Sequence, residues 1–414
     1  MNERSLATAT GIVPADLEAR ILPQQGSRFT ADLVRYQREL SDAVRGRRVL
    51  VVGGGGSIGS STVGLLAELG PACLHVVDLS ENYLAELVRD LRGRPQGLSV
   101  ADFRTLPLDY GGPIMRRFLA EAKGYELVLN FAALKHVRSE KDPFSLLQML
   151  DINVVRHVRF KQWLADYGHA QRYFAVSTDK AANPTSLMGA SKRLMEDVVF
   201  DVALPPSGVA TSARFANVAF SNGSLLQGFL TRLAKQQPLA VPRDTRRYFV
   251  SLREAGEICL LSSLIAPAQH VMYPKLDQEA ALVPLEQVAL AVLDWAGYQP
   301  QYFEDEASAR SAVREASSNK RWPLLLTPLD TSGEKPFEEF VAHGETSVEV
   351  GFETLAAVPH APGRALELGL FDRLAGYLEA SDRTVTKAEI VALIAEGVPG
   401  LQHRETGRSL DERL

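Results

Sequence analysis

Hydrophobic and polar positions along this chain follow two rhythms. From Thr30 to Arg45 the apolar residues fall at Leu33, Tyr36, Leu40 and Val44, the spacing of an amphipathic helix. Arg48 to Val52 is instead a short continuous apolar run, suited to a buried strand, and a helical pattern follows to Leu69. The pair of signals then recurs. Strands are predicted at Leu74 to Val77, Phe103 to Leu108, Glu126 to Leu129 and Tyr173 to Val176, with a long helix from Leu146 to Tyr167 and another from about Leu187. Apolar strands separated by helices predict an α/β fold built on a doubly wound parallel sheet. Residues 1 to about 28 carry no sustained period and read as an arm, disordered or draped on the body. The tail adds two helical patterns, Ala365 to Leu378 and Thr386 to Glu396, the second opening on the capping box Thr386-x-x-Glu389.

The first strand runs straight into Gly53-Gly54-Gly55-Gly56-Ser57-Ile58-Gly59. Strand, glycine turn and helix together form the setting of a dinucleotide fingerprint. Gly53 makes the tight turn, Gly56 lets a pyrophosphate approach the backbone, and Gly59 packs helix on strand, with Ser57 and Ile58 opening the helix at the phosphates. The next strand ends in Asp78, placed to accept from the adenosine ribose hydroxyls; a carboxylate there repels a 2′-phosphate, which favours NAD over NADP. Asp109 is a candidate acceptor for the adenine amino group. Asn130, followed by the small Ala132 and Ala133, is placed at the nicotinamide side, and Lys135 just beyond is assigned to the substrate. The apolar run to Val176 ends in Ser177-Thr178-Asp179-Lys180, and the following helix presents Met188 and Lys192 on one face. An acid, a hydroxyl and two amines thus meet at the carboxyl ends of the strands, where an open α/β sheet binds its ligands.

These signals divide the chain into an arm and helix (1–46), a mainly Rossmann dinucleotide domain (47–215), a mainly substrate-binding region from which some strands return to the sheet (216–345), and a helical appendage (346–414). In the third part Asn217 ends a strand, and Arg243, Arg246 and Arg247 cluster beside Tyr248 and Phe249. Guanidinium forks suit phosphate oxygens, so Asn217 and Arg247 are assigned to a diphosphate.

Composition narrows the partners. A net charge of -5 gives no reason to expect nucleic acid, and 46% hydrophobic residues provide an ample core. Cys73 and Cys259 sit in apolar runs without metal-ligand spacing and read as reduced core thiols, and no metal is expected. There is no apolar run of membrane-spanning length and no signal peptide, so a cytoplasmic protein is expected.

Gly53 to Gly59, Ala132 to Val137, Ser177 to Arg193 and Arg214 to Gly223 together resemble the extended short-chain dehydrogenase/reductase superfamily. More narrowly, S-T-D-K-A-A-N-P-T-S-L-M-G-A-S-K-R, with Arg247-Tyr248-Phe249 and Gly333-Glu334-Lys335, resembles its polysaccharide-biosynthesis branch, the UDP-N-acetylglucosamine 4,6-dehydratases. The usual Tyr-x-x-x-Lys is here Met188-x-x-x-Lys192, and Asp179-Lys180 stands where ordinary hexose dehydratases have Asp-Glu. The resemblance implies a UDP-linked or related sugar substrate, contacts from Glu334 and Lys335 to the nucleotide end, and Lys192 on the nicotinamide ribose. It also implies a homo-oligomer, a dimer or higher, formed through the long helix from Leu146. In the reaction it implies, NAD takes hydride from C4, Lys180 removes the C5 proton, Asp179 protonates the departing C6 hydroxyl, and hydride returns to C6. Met188 only shapes the pocket, which leaves Thr178, Asp179 or a water to take the C4 hydroxyl proton. Two competing readings are an epimerase acting at C4 or C5 and a non-catalytic NAD-binding sensor or scaffold.

Overall fold

A computed structural model describes residues 15–22, 26–205, 208–277, 281–330, 332–333, 335–380 and 384–406. Six strands open the main sheet: β1 (Arg48–Val52), β2 (Cys73–Val77), β3 (Asp102–Leu106), β4 (Leu127–Asn130), β5 (Arg172–Val176) and β6 (Val209–Ala213). The rest follow as β7 (Asn217–Val218), β8 (Leu239–Pro242), β9 (Arg246–Val250), β10 (His270–Pro274), β11 (Leu282–Pro284), β12 (Gln299–Phe303), β13 (Arg321–Thr327) and β14 (Leu355–Pro359). The main sheet has eight strands in the order β14-β10-β6-β5-β4-β1-β2-β3. All neighbours are parallel except β14, which closes the edge antiparallel to β10. The predicted doubly wound parallel sheet is therefore present.

Strand periodicity explains why both faces are apolar. Val49 and Val51 point into one core with Val63, Leu66, Ile258 and Leu261 from the helices Ser57–Glu68 and Leu252–Leu264. Leu50 and Val52 point the other way, into a core with Phe160, Leu164, Met195 and Val199. Cys73 and Cys259 are buried and unbridged, one in each core.

The second lobe carries two three-stranded sheets, β11-β9-β7 and β12-β13-β8. The arm helix Ala15–Ile21 drapes on this lobe: Leu17 and Ile21 enter its core, and Trp295 Nε1 donates to Asp16 at 3.1 Å. The return to the main sheet by β10 and β14 carries the nucleotide-binding fold past residue 346, where the sequence suggests only a helical appendage.

Three predicted elements differ in detail. The helix expected over Thr30 to Arg45 is two, Thr30–Arg35 and Gln37–Val44, divided at Tyr36, whose ring packs edge-on against Phe352 and whose hydroxyl donates to Gly351 O at 2.7 Å. The long helix expected over Leu146 to Tyr167 begins at Pro143 and contains a π turn, Asp151–Val155, before Arg156–Asp166. The third strand stops at Leu106, leaving Asp109 in the loop beyond it. The tail is no loose appendage. Its helices Leu370–Glu379 and Lys387–Gly397 place Leu370, Leu374, Ile390 and Ile394 against Leu146, Met149, Leu150 and Val154. The helix face that the sequence assigns to dimer formation is thus covered within the chain. Among the described residues no helix is long and apolar enough to cross a membrane.

Candidate active site

The glycine loop between β1 and the helix Ser57–Glu68 is shaped by close backbone approach. Gly53 has φ +69°, and a methyl group there would lie 2.6 Å from Ala132 N, so the ends of β1 and β4 meet where only glycine fits. A methyl group on Gly59 would lie 2.4 Å from Gly53 O. Gly56 caps the helix without a side-chain hydrogen bond, which leaves the first amides to receive an anion. Asp78 sits at the tip of β2; one carboxylate oxygen accepts from Gly55 N at 3.0 Å and the other from Ser80 N at 2.9 Å. Ser57 Oγ accepts from Asn222 N at 2.9 Å, tying this loop to the second lobe, and Ile58 packs on the core beneath. An uncapped helix start, glycines in van der Waals contact and a carboxylate at the next strand tip fit a dinucleotide.

Other predicted cofactor residues are placed nearby but are engaged differently. Asp109 accepts from Gly111 N at 3.0 Å and pairs with Arg156, which also holds Asp151, so its carboxylate is committed to protein partners. Asn130 is buried; its Oδ1 accepts from Ala132 N at 3.0 Å and its Nδ2 donates to the Tyr173 hydroxyl at 3.2 Å. It orders the turn that carries Ala132 and Ala133, both partly exposed. The other clamp on this turn is Asn153, in the π turn, whose side chain bonds both backbone groups of Leu134 at 2.9 Å and Ser191 Oγ at 2.9 Å. A helix-period pattern could not single it out. Lys135 is exposed, and His136 lies against Gly223.

The candidate acid–base group lies just past the tip of β5, in the short 3-10 turn Asp179–Ala181. Asp179 is 1% exposed. Its Oδ1 accepts from Thr178 Oγ1 at 2.8 Å and from Lys180 Nζ at 3.0 Å, while its buried Oδ2 finds no partner among the described residues. A second carboxyl, Glu338, lies nearby, its Oε1 3.8 Å from Lys180 Nζ and its Oε2 3.6 Å from Lys335 Nζ. Glu338 is 4% exposed, and Oε2 is also without a hydrogen-bond partner. Burial pushes the Glu338 carboxyl above the usual range; Lys180 opposes this and the Asp179 charge adds to it. Glu338 is a site residue that sequence reading passes over. The Glu338-Glu339 pair was its only signal, and it reads as an ordinary acidic helix start.

The segment bearing Glu338 is anchored to the Asp179 loop. Lys335 Nζ donates to Asn183 O, Asn183 Nδ2 donates to Glu339 at 2.9 Å, and His343 N donates to Asn183 Oδ1 at 2.9 Å. Arg247 donates to Pro336 O and Lys335 O, each at 3.1 Å, so its fork fastens this same turn. Asn217 Nδ2 reaches Tyr248 O at 3.4 Å. Glu334 lies outside the described residues.

On the helix Leu187–Asp201, Lys192 is buried, donates to Val176 O at 2.6 Å and touches Met195 Sδ at 3.0 Å. Burial holds its amine down at about 8. Met188 packs in the apolar cluster shared with the tail helices, and its amide donates to the buried Glu140 at 2.9 Å. The geometry therefore brings Thr178, Asp179, Lys180 and Lys335 together with Glu338, while Met188 belongs to the packing behind them.

Comparison with known proteins identifies the family. Residues 49–359 match the family described as polysaccharide biosynthesis protein. The chain is 28% identical over 272 residues to an uncharacterized membrane protein of Methanocaldococcus jannaschii, covering 64% of this chain and 78% of that one. It is 24% identical to the probable polysaccharide biosynthesis protein EpsC of Bacillus subtilis, covering 78% of this chain and 56% of EpsC. The capsular protein CapD of Staphylococcus aureus is covered over 41% of its length, so the chain spans about half the length of these two relatives. It is 25% identical to an inverting UDP-N-acetylglucosamine 4,6-dehydratase of Campylobacter jejuni, over 56% of this chain and 67% of that enzyme. Among solved structures, Pen from Bacillus thuringiensis superposes with TM-score 0.62 at 18% identity, over 86% of this chain and 98% of Pen. WbmF from Bordetella bronchiseptica, solved with NAD+ and UDP, gives TM-score 0.51 at 17% identity, over 66% of this chain and 88% of WbmF. These structural likenesses establish the Rossmann-type fold. On the match across β1 to β14, the chain belongs to the polysaccharide biosynthesis protein family.

Proposed function

We propose that the protein is an NAD-dependent 4,6-dehydratase of a nucleotide-linked hexose, with UDP-N-acetylglucosamine or a close relative as substrate. The observation that carries this reading is the direct hydrogen bond between Lys180 Nζ and the buried Asp179 at 3.0 Å. Eliminating water across C5 and C6 needs a neutral base and a protonated acid in one site. A single proton transfer along that bond, from the Lys180 ammonium to the Asp179 carboxylate, creates both.

NAD, held by the glycine loop and Asp78, supplies the hydride acceptor for C4 and the hydride donor for C6. A ketone at C4 acidifies C5. Lys180 then takes the C5 proton, and Asp179 delivers its proton to the C6 oxygen as that bond breaks. Thr178, donating to Asp179 Oδ1, fixes the carboxyl so that Oδ2 remains available. Met188 can hold no exchangeable proton, so the C4 hydroxyl proton must leave through the Asp179–Thr178 group or a water. Lys192, next to the last carbonyl of β5, provides positive charge on the cofactor side. Asn217 and Arg247 lie toward the nucleotide end, and Arg247 fixes the turn that carries Lys335 beside Glu338.

An epimerase would use the same hydride step but would have no leaving hydroxyl for Asp179 to protonate. The test is the product formed in deuterated water with NAD present. Deuterium at C5 together with loss of the C6 oxygen supports the dehydratase, and deuterium without that loss supports a C5 epimerase. Lys180→Ala should abolish both signals; full activity in that variant would remove Lys180 as the base.

A further inference from the structure

Lys180 stands between two buried carboxyls, and the proposed elimination employs only one. Asp179 Oδ1 is 3.0 Å from its amine and Glu338 Oε1 is 3.8 Å from it. Both carboxyls are nearly inaccessible, and each keeps an oxygen without a hydrogen-bond partner. Glu338 Oε2 also lies 3.6 Å from Lys335 Nζ, so Glu338 is shared between two lysines while Lys180 faces two carboxyls. Burying this many charges together is unfavourable unless some state of the site calls for them.

The proposed reaction contains such a state. Once Asp179 has accepted the Lys180 proton it is neutral. When the amine then takes the C5 proton, a new ammonium forms in a buried place with Glu338 as the carboxylate left beside it. We propose that Glu338 is a positioning residue for this reaction, stabilising the ammonium that forms on Lys180 and so strengthening it as a base. Identifying the abstracted proton as C5–H rests on the dehydratase reading; the coupling between Glu338 and Lys180 does not. The step balances without further reactants. The C5–H bond breaks and an N–H bond forms; the electron pair becomes the C5–C6 double bond as the C6–O bond breaks toward the Asp179 proton. The Lys180 proton later returns to C5. Glu338 exchanges no atom and acts through charge alone.

The charged groups facing Glu338 are Lys180 and Asp179 from the turn after β5, Arg247 from β9, and Lys335 from its own segment. Its influence is present while it is ionised and fades as pH falls through its raised titration range.

The experiment uses the full chain with NAD and compares wild type, Glu338→Gln and Glu338→Asp. Removing an anion beside an amine makes the amine a weaker base and lowers its titration point by about one pH unit. In Glu338→Gln, kcat should therefore fall by up to about tenfold while KM changes little, and the acid limb of the kcat profile should move to lower pH. Glu338→Asp should restore part of the rate. A second readout needs no turnover: the pH midpoint of Lys180 acetylation, followed by peptide mass spectrometry. It should move down in Glu338→Gln and up in Lys335→Met, which removes the cation competing for Glu338. A wild type that converts no sugar nucleotide, combined with shifted midpoints, would reject the dehydratase reading and uphold the coupling. Unmoved midpoints in both folded variants would overturn the proposal.

Discussion

Ser177 and Asp179, separated only by Thr178, lead into two groups of buried charge of opposite character. Ser177 donates to Glu196 at 2.6 Å, and Arg214, 0% exposed, donates to both Glu196 oxygens at 2.8 and 2.7 Å. Arg214 also bonds Phe340 O at 2.9 Å and both oxygens of Glu345, and Arg193 reaches Glu345 at 2.6 Å. Every carboxylate oxygen there has a partner. In the Asp179–Lys180–Glu338 group two buried oxygens have no hydrogen-bond partner among the described residues. A closed network specifies structure, and opening it exposes an uncompensated charge. An open one retains hydrogen-bonding capacity, which the proposed function assigns to a ligand at the carboxyl ends of the parallel sheet.

Substitutions can break this contrast. Asp179→Asn should lower turnover by roughly 10²–10⁴-fold. The same change should leave the thermal midpoint equal or higher, because a buried and incompletely paired charge is removed. Loss of stability together with activity would place Asp179 in the structural class. Arg214→Met should do the reverse, destabilising by about 3–5 kcal/mol because Glu196 is left buried without its partner. Denaturant unfolding measures this, and a change under about 1 kcal/mol would contradict the closed-network reading.

Acid titration sharpens the comparison. Burial alone would raise Glu345, but the hydrogen bonds and charge of Arg214 hold it at about 2, below its ordinary 4.5. Its folded value lies below its unfolded one, so its contribution is complete above about pH 4.5 and is lost as pH falls toward 2. The stability gap between wild type and Glu345→Gln should close over that window. Asp197 makes the converse case: burial pushes its carboxyl up to about 7, and its Oδ1 has no hydrogen-bond partner among the described residues. Here the sign is opposite: ionisation is disfavoured in the fold, so stability falls between about pH 4 and 7. Asp197→Asn should raise the thermal midpoint at pH 8 and leave it unchanged at pH 3.

The local parts of this architecture were legible in the sequence. Gly53 to Gly59 and Asp78 announce themselves because a tight turn, a helix start and a strand-end carboxylate are set by neighbouring residues. Asp179 and Lys180 were legible for the same reason, as polar groups ending an apolar strand. What escaped was pairing between distant segments. Glu338 reaches Lys180 only because Arg247, Asn183 and Lys335 fasten its turn to the Asp179 loop. Asp109 and Asn130 were correctly placed near strand ends, yet their side chains are taken by Arg156 and by Ala132 and Tyr173. The amphipathic tail helices were visible, but periodicity does not name the surface they cover, here the face of the helix from Pro143 to Leu150.

The most direct test is the mass of UDP-N-acetylglucosamine and related sugar nucleotides after incubation with the protein and NAD, in wild type and in Asp179→Asn. The account predicts loss of one water with wild type and none with the variant. Unchanged mass for every sugar nucleotide tried, or equal loss in both proteins, would contradict it.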